Sequence, residues 1–177
     1  NCKEFLRPYL AEAVASVCGD DVELCAVCVA KGMEFLNAPY ETIQKVTEDL
    51  VRSDGERYCF SKSQEEVDTL LWEAQLKYVF PLVENYRRYF VKKYYDFIKA
   101  ALPINNGYGD QVMVPEEAEL GNLMYLVERG GIPVSAEESM ELKRYRKARN
   151  ELAHMNLLSN EELCVILKAG KHKTASD

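Results

Sequence analysis

Arg149-Asn150-Glu151-Leu152-Ala153-His154 sets an arginine, a polar amide, three spacers and a histidine within six residues. An imidazole takes up or releases a proton near neutral pH, and a guanidinium holds an oxyanion through a fixed charge and a planar fork of donors. Together these groups suit the handling of a phosphate ester. On a regular helix a separation of five residues turns Arg149 and His154 roughly 140° apart. The arginine stem must reach round, or the helix must unwind near His154. Asn150 and His154 are four apart and share a face. Five of the seven residues from Lys143 to Arg149 are basic. Of these, Lys143, Arg144, Arg146 and Lys147 can guide phosphates towards the pair. The competing reading is a solvated helix face paired with Glu138, Glu141 and Glu151, with Arg149 and His154 as ordinary charges favouring a helix C-terminus.

The elements that position these residues read as helices. Apolar residues recur at helical spacing from about Lys3 to Val17, and Gly19 ends that run. Asp20 opens a second helix towards Leu36, Asn37-Ala38-Pro39 breaks the chain, and a third runs from Tyr40 to Val51. Arg57–Phe60 is a short strand or a loop. Ser63 and Glu66 form a capping box for a long helix reaching towards Leu102, which Pro81 should kink or interrupt. Pro103–Asp110 reads as a loop. Pro115 opens a helix ending at Gly130-Gly131, and Ser135 with Glu138 opens the helix that carries the basic run. Ser159–Glu162 starts a last short helix through Leu167. The predicted fold is therefore all-α: a segment over 1–62, a helical bundle over 63–168 and a disordered tail over 169–177.

Composition narrows the function. The 177 residues are 47% hydrophobic and 29% charged, enough apolar content to bury a core and too much for a disordered chain. No apolar run approaches the roughly 18 residues that a bilayer requires, and Asn1–Arg7 lacks a signal-peptide layout. The chain is thus expected to be cytoplasmic, with no membrane partner. It begins without methionine, which suits a piece of a longer protein whose other domains would be partners. A net charge of −7 argues against coating nucleic acid with the whole surface, but leaves room for a local basic face. Cys25 and Cys28 have redox or half-zinc spacing, yet there is no second such pair and the flanks are apolar, so a buried helix face is expected. The aromatic run Tyr86–Tyr95 either stacks bases or forms bundle core or a dimer interface, with Arg87, Arg88, Lys92 and Lys93 directed outward. Glu84 is a candidate partner for Arg149. Nucleotide-binding glycine loops, a serine-hydrolase elbow and an HExxH motif are all absent.

Arg149-Asn150-x-x-Ala153-His154, late in a charged helix and followed by a break and a further helix, resembles the motif of HEPN domains. The resemblance covers roughly Ser63 to Leu167. It implies an all-α bundle of four or five core helices, with 1–62 as an N-terminal helical extension. It also implies a homodimer in which two copies of the motif face one cleft, and single-stranded RNA as substrate. In an active member, His154 would serve as general base or acid while the ribose 2′-hydroxyl attacks phosphorus. Arg149 would stabilise the charge that develops, and Asn150 would orient the imidazole or donate to a phosphate oxygen. The products would be a 2′,3′-cyclic phosphate and a 5′-hydroxyl, with no metal or cofactor required. Other members bind RNA or partner domains without cleavage, or serve in defence or RNA-processing assemblies. Some carry a tyrosine two positions after the histidine. That position is Asn156 here, which puts in doubt any activity depending on the hydroxyl.

Overall fold

Helices begin where the sequence supplies a serine and, three residues on, a glutamate. Ser63 N–H donates to the Glu66 carboxylate (2.7 Å) and Glu66 N–H donates to Ser63 Oγ (3.2 Å). Ser135 with Glu138 and Ser159 with Glu162 repeat the arrangement. Each pair satisfies two N–H groups that would otherwise lack an intrahelical partner. In the computed structural model, which describes residues 3–105 and 111–173, the all-α expectation holds. The paired strands among the described residues are the two-residue β1 (Ile104–Asn105) and β2 (Gln111–Val112), antiparallel, with Ile104 opposite Val112. They flank residues 106–110, which lie outside the described residues, so the expected loop is in part a small hairpin.

The chain divides into two units, 1–79 with 152–177, and 80–151. This division is drawn on packing and falls elsewhere than the compositional boundary at 62. The first unit holds α1 (Arg7–Cys18), α2 (Val22–Lys31), α3 (Met33–Asn37) and α4 (Pro39–Asp49). It also holds the first half of α5 (Gln64–Lys93) and α9 (Asn160–Lys173). Gly19 (φ 65°) ends α1 as expected, but Gly32 (φ 56°) splits the anticipated second helix into α2 and α3. Only glycine takes that backbone conformation without steric cost. Leu6, Ala13, Val14, Val17, Phe35, Ile43 and Val67 are all but inaccessible to solvent. Cys28 joins them, Cys18 is nearly as buried, and Cys25 is half-buried, as the apolar flanks predict. The hydrogen bond with the neighbouring Cys28 thiol first, and then burial, push the Cys18 thiol well above its ordinary pKa. Asn160 Nδ2 donates to the Leu36 carbonyl and to Asn37 Oδ1 (both 2.8 Å), tying the start of α9 to the end of α3. Helix α9 runs on to Lys173, through the residues where the sequence places the start of a disordered tail. Residues 174–177 lie outside the described residues.

The second unit contains the second half of α5, α6 (Tyr95–Ala100), β1, β2, a 3₁₀ turn (Pro115–Glu117), α7 (Leu120–Glu128) and most of α8 (Ala136–Ala153). Pro81 does not interrupt α5, although it has no N–H to continue the ladder. The long helix does stop short of Leu102: it ends at Lys93, and Tyr94 (φ −112°, ψ 24°) separates it from α6. Tyr86, Phe90 and Tyr94, spaced by four, are buried, and Tyr86 stacks on Tyr145 of α8 at 4.0 Å. These rings are core, as one of the sequence readings holds. Tyr89 and Tyr95 are exposed.

Glu138 ties α8 to the end of α5. It accepts from Ser135 N–H, from Tyr94 Oη–H (2.8 Å) and from the Lys93 ammonium. The Lys93 bond first, and then the Ser135 amide, hold its pKa down to about 2 from an ordinary 4.5. A depressed carboxylate contributes stability that is fully present above the ordinary value and is lost as pH falls through the folded one. Glu138→Gln is therefore expected to cost about 1 kcal/mol near neutral pH, allowing for solvent screening of a half-exposed pair. It should also flatten the loss of stability between pH 4.5 and about 2, measured by urea denaturation across pH.

Candidate functional site

Helix α8 carries the basic run. Leu142, Tyr145 and Ala148 form its buried stripe, so Lys143, Arg144, Arg146, Lys147 and Arg149 fall on the exposed side. Asn150 is half-buried. The side chains of Arg149 and Asn150 form no hydrogen bond or ion pair among the described residues. Glu84, the candidate partner for Arg149, is instead engaged by Arg87 (Nε 2.9 Å, Nη2 2.7 Å) and Arg88 (Nε 3.1 Å). The Arg87 hydrogen bonds first, and then the charge of Arg87 and the bond from Arg88, hold its carboxyl below the usual range. Glu138, proposed above as a partner for the basic run, is taken up by Lys93, Tyr94 and Ser135.

His154 follows the last residue of α8 and belongs to the first unit. It is exposed and makes no hydrogen bond among the described residues. The helix has stopped by this point, which is one of the two alternatives the angular argument leaves open. Met155 adopts φ 60°, a left-handed conformation that costs a non-glycine residue about 1–2 kcal/mol. Two side chains of α5 hold the segment in place. Trp72 Nε1–H donates to the Leu152 carbonyl (2.9 Å). Gln75 Nε2 donates to the Leu158 carbonyl (3.2 Å) and Gln75 Oε1 accepts from Leu158 N–H (2.7 Å). Gln75 is 3% exposed, and its amide also donates to Tyr9 Oη (3.2 Å). An exposed imidazole thus sits on the seven-residue span from Leu152 to Leu158, whose backbone is fixed at both ends. Sequence reasoning missed both anchors. The available signal was Gln75 itself, a polar residue in line with the apolar positions Leu71, Ala74 and Val79.

A groove of about 450 Å³ lies in the first unit, bounded by Glu65, Asp68, Trp72, Met155 and Leu157. Its two carboxylates repel phosphate, so it does not suit a nucleic-acid backbone. Charge is distributed accordingly. The first unit has 11 basic and 18 acidic residues and so accounts for the whole net charge of −7, while the second has 11 of each.

Among the described residues no three His, Cys, Asp or Glu side chains are grouped as a metal site, and no helix is long and apolar enough to cross a membrane. No protein-family model, curated protein or solved structure matches the chain.

Proposed function

We propose that the chain is a HEPN-like, metal-independent RNA endonuclease that acts as a dimer, with Arg149, Asn150 and His154 at the reacting phosphate. The observation that carries this reading is the state of Arg149 and His154. Both are exposed, neither is consumed by an ion pair or hydrogen bond among the described residues, and the helix stops one residue before His154. Both side chains are therefore available to a ligand.

In the proposed reaction His154 removes the proton of the ribose 2′-hydroxyl, and the 2′-oxygen forms a bond to phosphorus. The bond from phosphorus to the 5′-oxygen breaks, and that oxygen receives a proton from an imidazolium, supplied by the second copy of the motif. Arg149 donates to the non-bridging oxygens as charge builds on them. Lys143, Arg144, Arg146 and Lys147 supply a fixed positive face along α8 for the flanking phosphates. The attacking group comes from the RNA itself, so the scheme routes no step through a metal.

Incubation of the purified chain with single-stranded RNA in EDTA is expected to yield fragments ending in 2′,3′-cyclic phosphate and 5′-hydroxyl. Absence of cleavage, with RNA still bound and Arg149→Ala weakening that binding, would instead support a non-catalytic RNA-binding module.

A further inference from the structure

The second unit carries a cationic groove for which the Arg149–His154 reading has no use. Its volume is about 420 Å³, and Arg87, Arg88, Val91, Lys92, Tyr95 and Glu116 line it. Arg87 is committed to structure. Besides clasping Glu84, it donates through Nη1 to the carbonyls of Glu116 (2.7 Å) and Ala118 (3.1 Å), which fixes the 3₁₀ turn against α5. Arg88 differs: only its Nε is engaged, and its side chain is 74% exposed. Lys92 makes no ion pair or hydrogen bond among the described residues. Tyr95 is 37% exposed, with neither a ring contact nor a hydrogen bond among them. Arg88 and Lys92 are one helical turn apart, about 6 Å along the axis. Tyr95 follows at the start of α6, and the floor between them is the buried Val91.

Lys92, with no side-chain partner among the described residues, and Arg88, whose two Nη groups stay open beyond its Nε bond to Glu84, together select a ligand with repeated negative charge. A ring with a free face selects a flat heteroaromatic partner. A single-stranded nucleic acid, which alternates phosphates with exposed bases, offers both at this spacing. We propose that this groove binds single-stranded RNA, with phosphates on Arg88 and Lys92 and a base stacked on Tyr95. The choice of RNA as the polymer rests on the function proposed above. The surrounding unit is charge-balanced and does not repel such a chain, whereas the other unit would. Glu116 in the lining and Glu84 against Arg88 oppose the cations and limit the affinity of the groove.

The test is fluorescence anisotropy of the full chain with a labelled short oligouridylate and its DNA counterpart, over a salt titration, with thermal melts confirming the fold of each variant. Arg88→Ala/Lys92→Ala is expected to weaken binding about tenfold or more at low salt. It should also reduce the slope of log affinity against log salt by about 1.4, the loss of two phosphate contacts on a single strand. Tyr95→Ala is expected to weaken binding about fivefold or more, Tyr95→Phe to bind like the wild type, and Glu116→Gln to bind several-fold tighter. An unchanged affinity and slope in the double variant would overturn the proposal. So would binding of the DNA strand alone, or displacement of the RNA by polyglutamate at equal charge. These outcomes are separable from failure of the cleavage reading. His154→Ala should retain this binding while losing cutting, and a chain that never cuts still reports on the groove.

Discussion

Replacing His154 with alanine is expected to lower the rate of RNA cleavage by about 10³-fold while leaving the melting temperature within about 1 °C of the wild type. General acid–base catalysis by a positioned imidazole contributes about 10²–10⁴-fold, and the loss falls on the chemical step rather than on affinity. The fold should not notice the change, because the side chain is exposed and makes no hydrogen bond among the described residues. Arg149→Ala should lower the rate by about 10²–10³-fold, the usual cost of removing one donor from a developing oxyanion. Single-turnover kinetics at saturating RNA is the relevant measurement. A His154→Ala protein that cuts at the wild-type rate would assign the activity to another group.

The largest expected effect on stability belongs to Gln75. Gln75→Leu keeps the side-chain bulk but strands the N–H and carbonyl of Leu158 and removes a donor from Tyr9 Oη, all at a site that is 3% exposed. Each unsatisfied buried backbone group costs about 1–3 kcal/mol, so a loss of about 3 kcal/mol is expected, or roughly 10 °C in melting temperature for a chain of this size. The substitution also frees one end of the span that holds His154. Cleavage should therefore fall even at temperatures where the protein remains folded. A melting temperature within a degree or two of the wild type would show that Leu158 finds other partners and that Gln75 is not the anchor.

Local signals in this chain were readable and long-range ones were not. The helix starts read at Ser63 with Glu66 and at Ser135 with Glu138 involve residues three apart and form as capping boxes, and Ser159 with Glu162 forms a third. The buried stripe of Tyr86, Phe90 and Tyr94 follows four-residue spacing, but which rings of the run face outward, Tyr89 and Tyr95, is seen only in the structure. The breaks at Gly32 and Tyr94 were harder to read. The apolar periodicity runs straight through both, and only the backbone angles show that the helices end there. The pairing of Trp72 with Leu152, and of Gln75 with Leu158, joins residues about eighty apart in the chain. No spacing rule reaches that far. Glu84 illustrates the same limit. It was a candidate for Arg149 on charge alone, but Arg87 and Arg88, on the next turn of its own helix, claim it first.

The account depends most directly on the RNA supplying its own nucleophile at a phosphate held by Arg149 and His154. The decisive measurement compares two otherwise identical strands in EDTA, one all-ribose and the other with a single 2′-deoxy sugar immediately 5′ to the principal cut. The account predicts that cutting at that linkage disappears in the second strand while flanking cuts persist. Continued cutting at the deoxy position would contradict it.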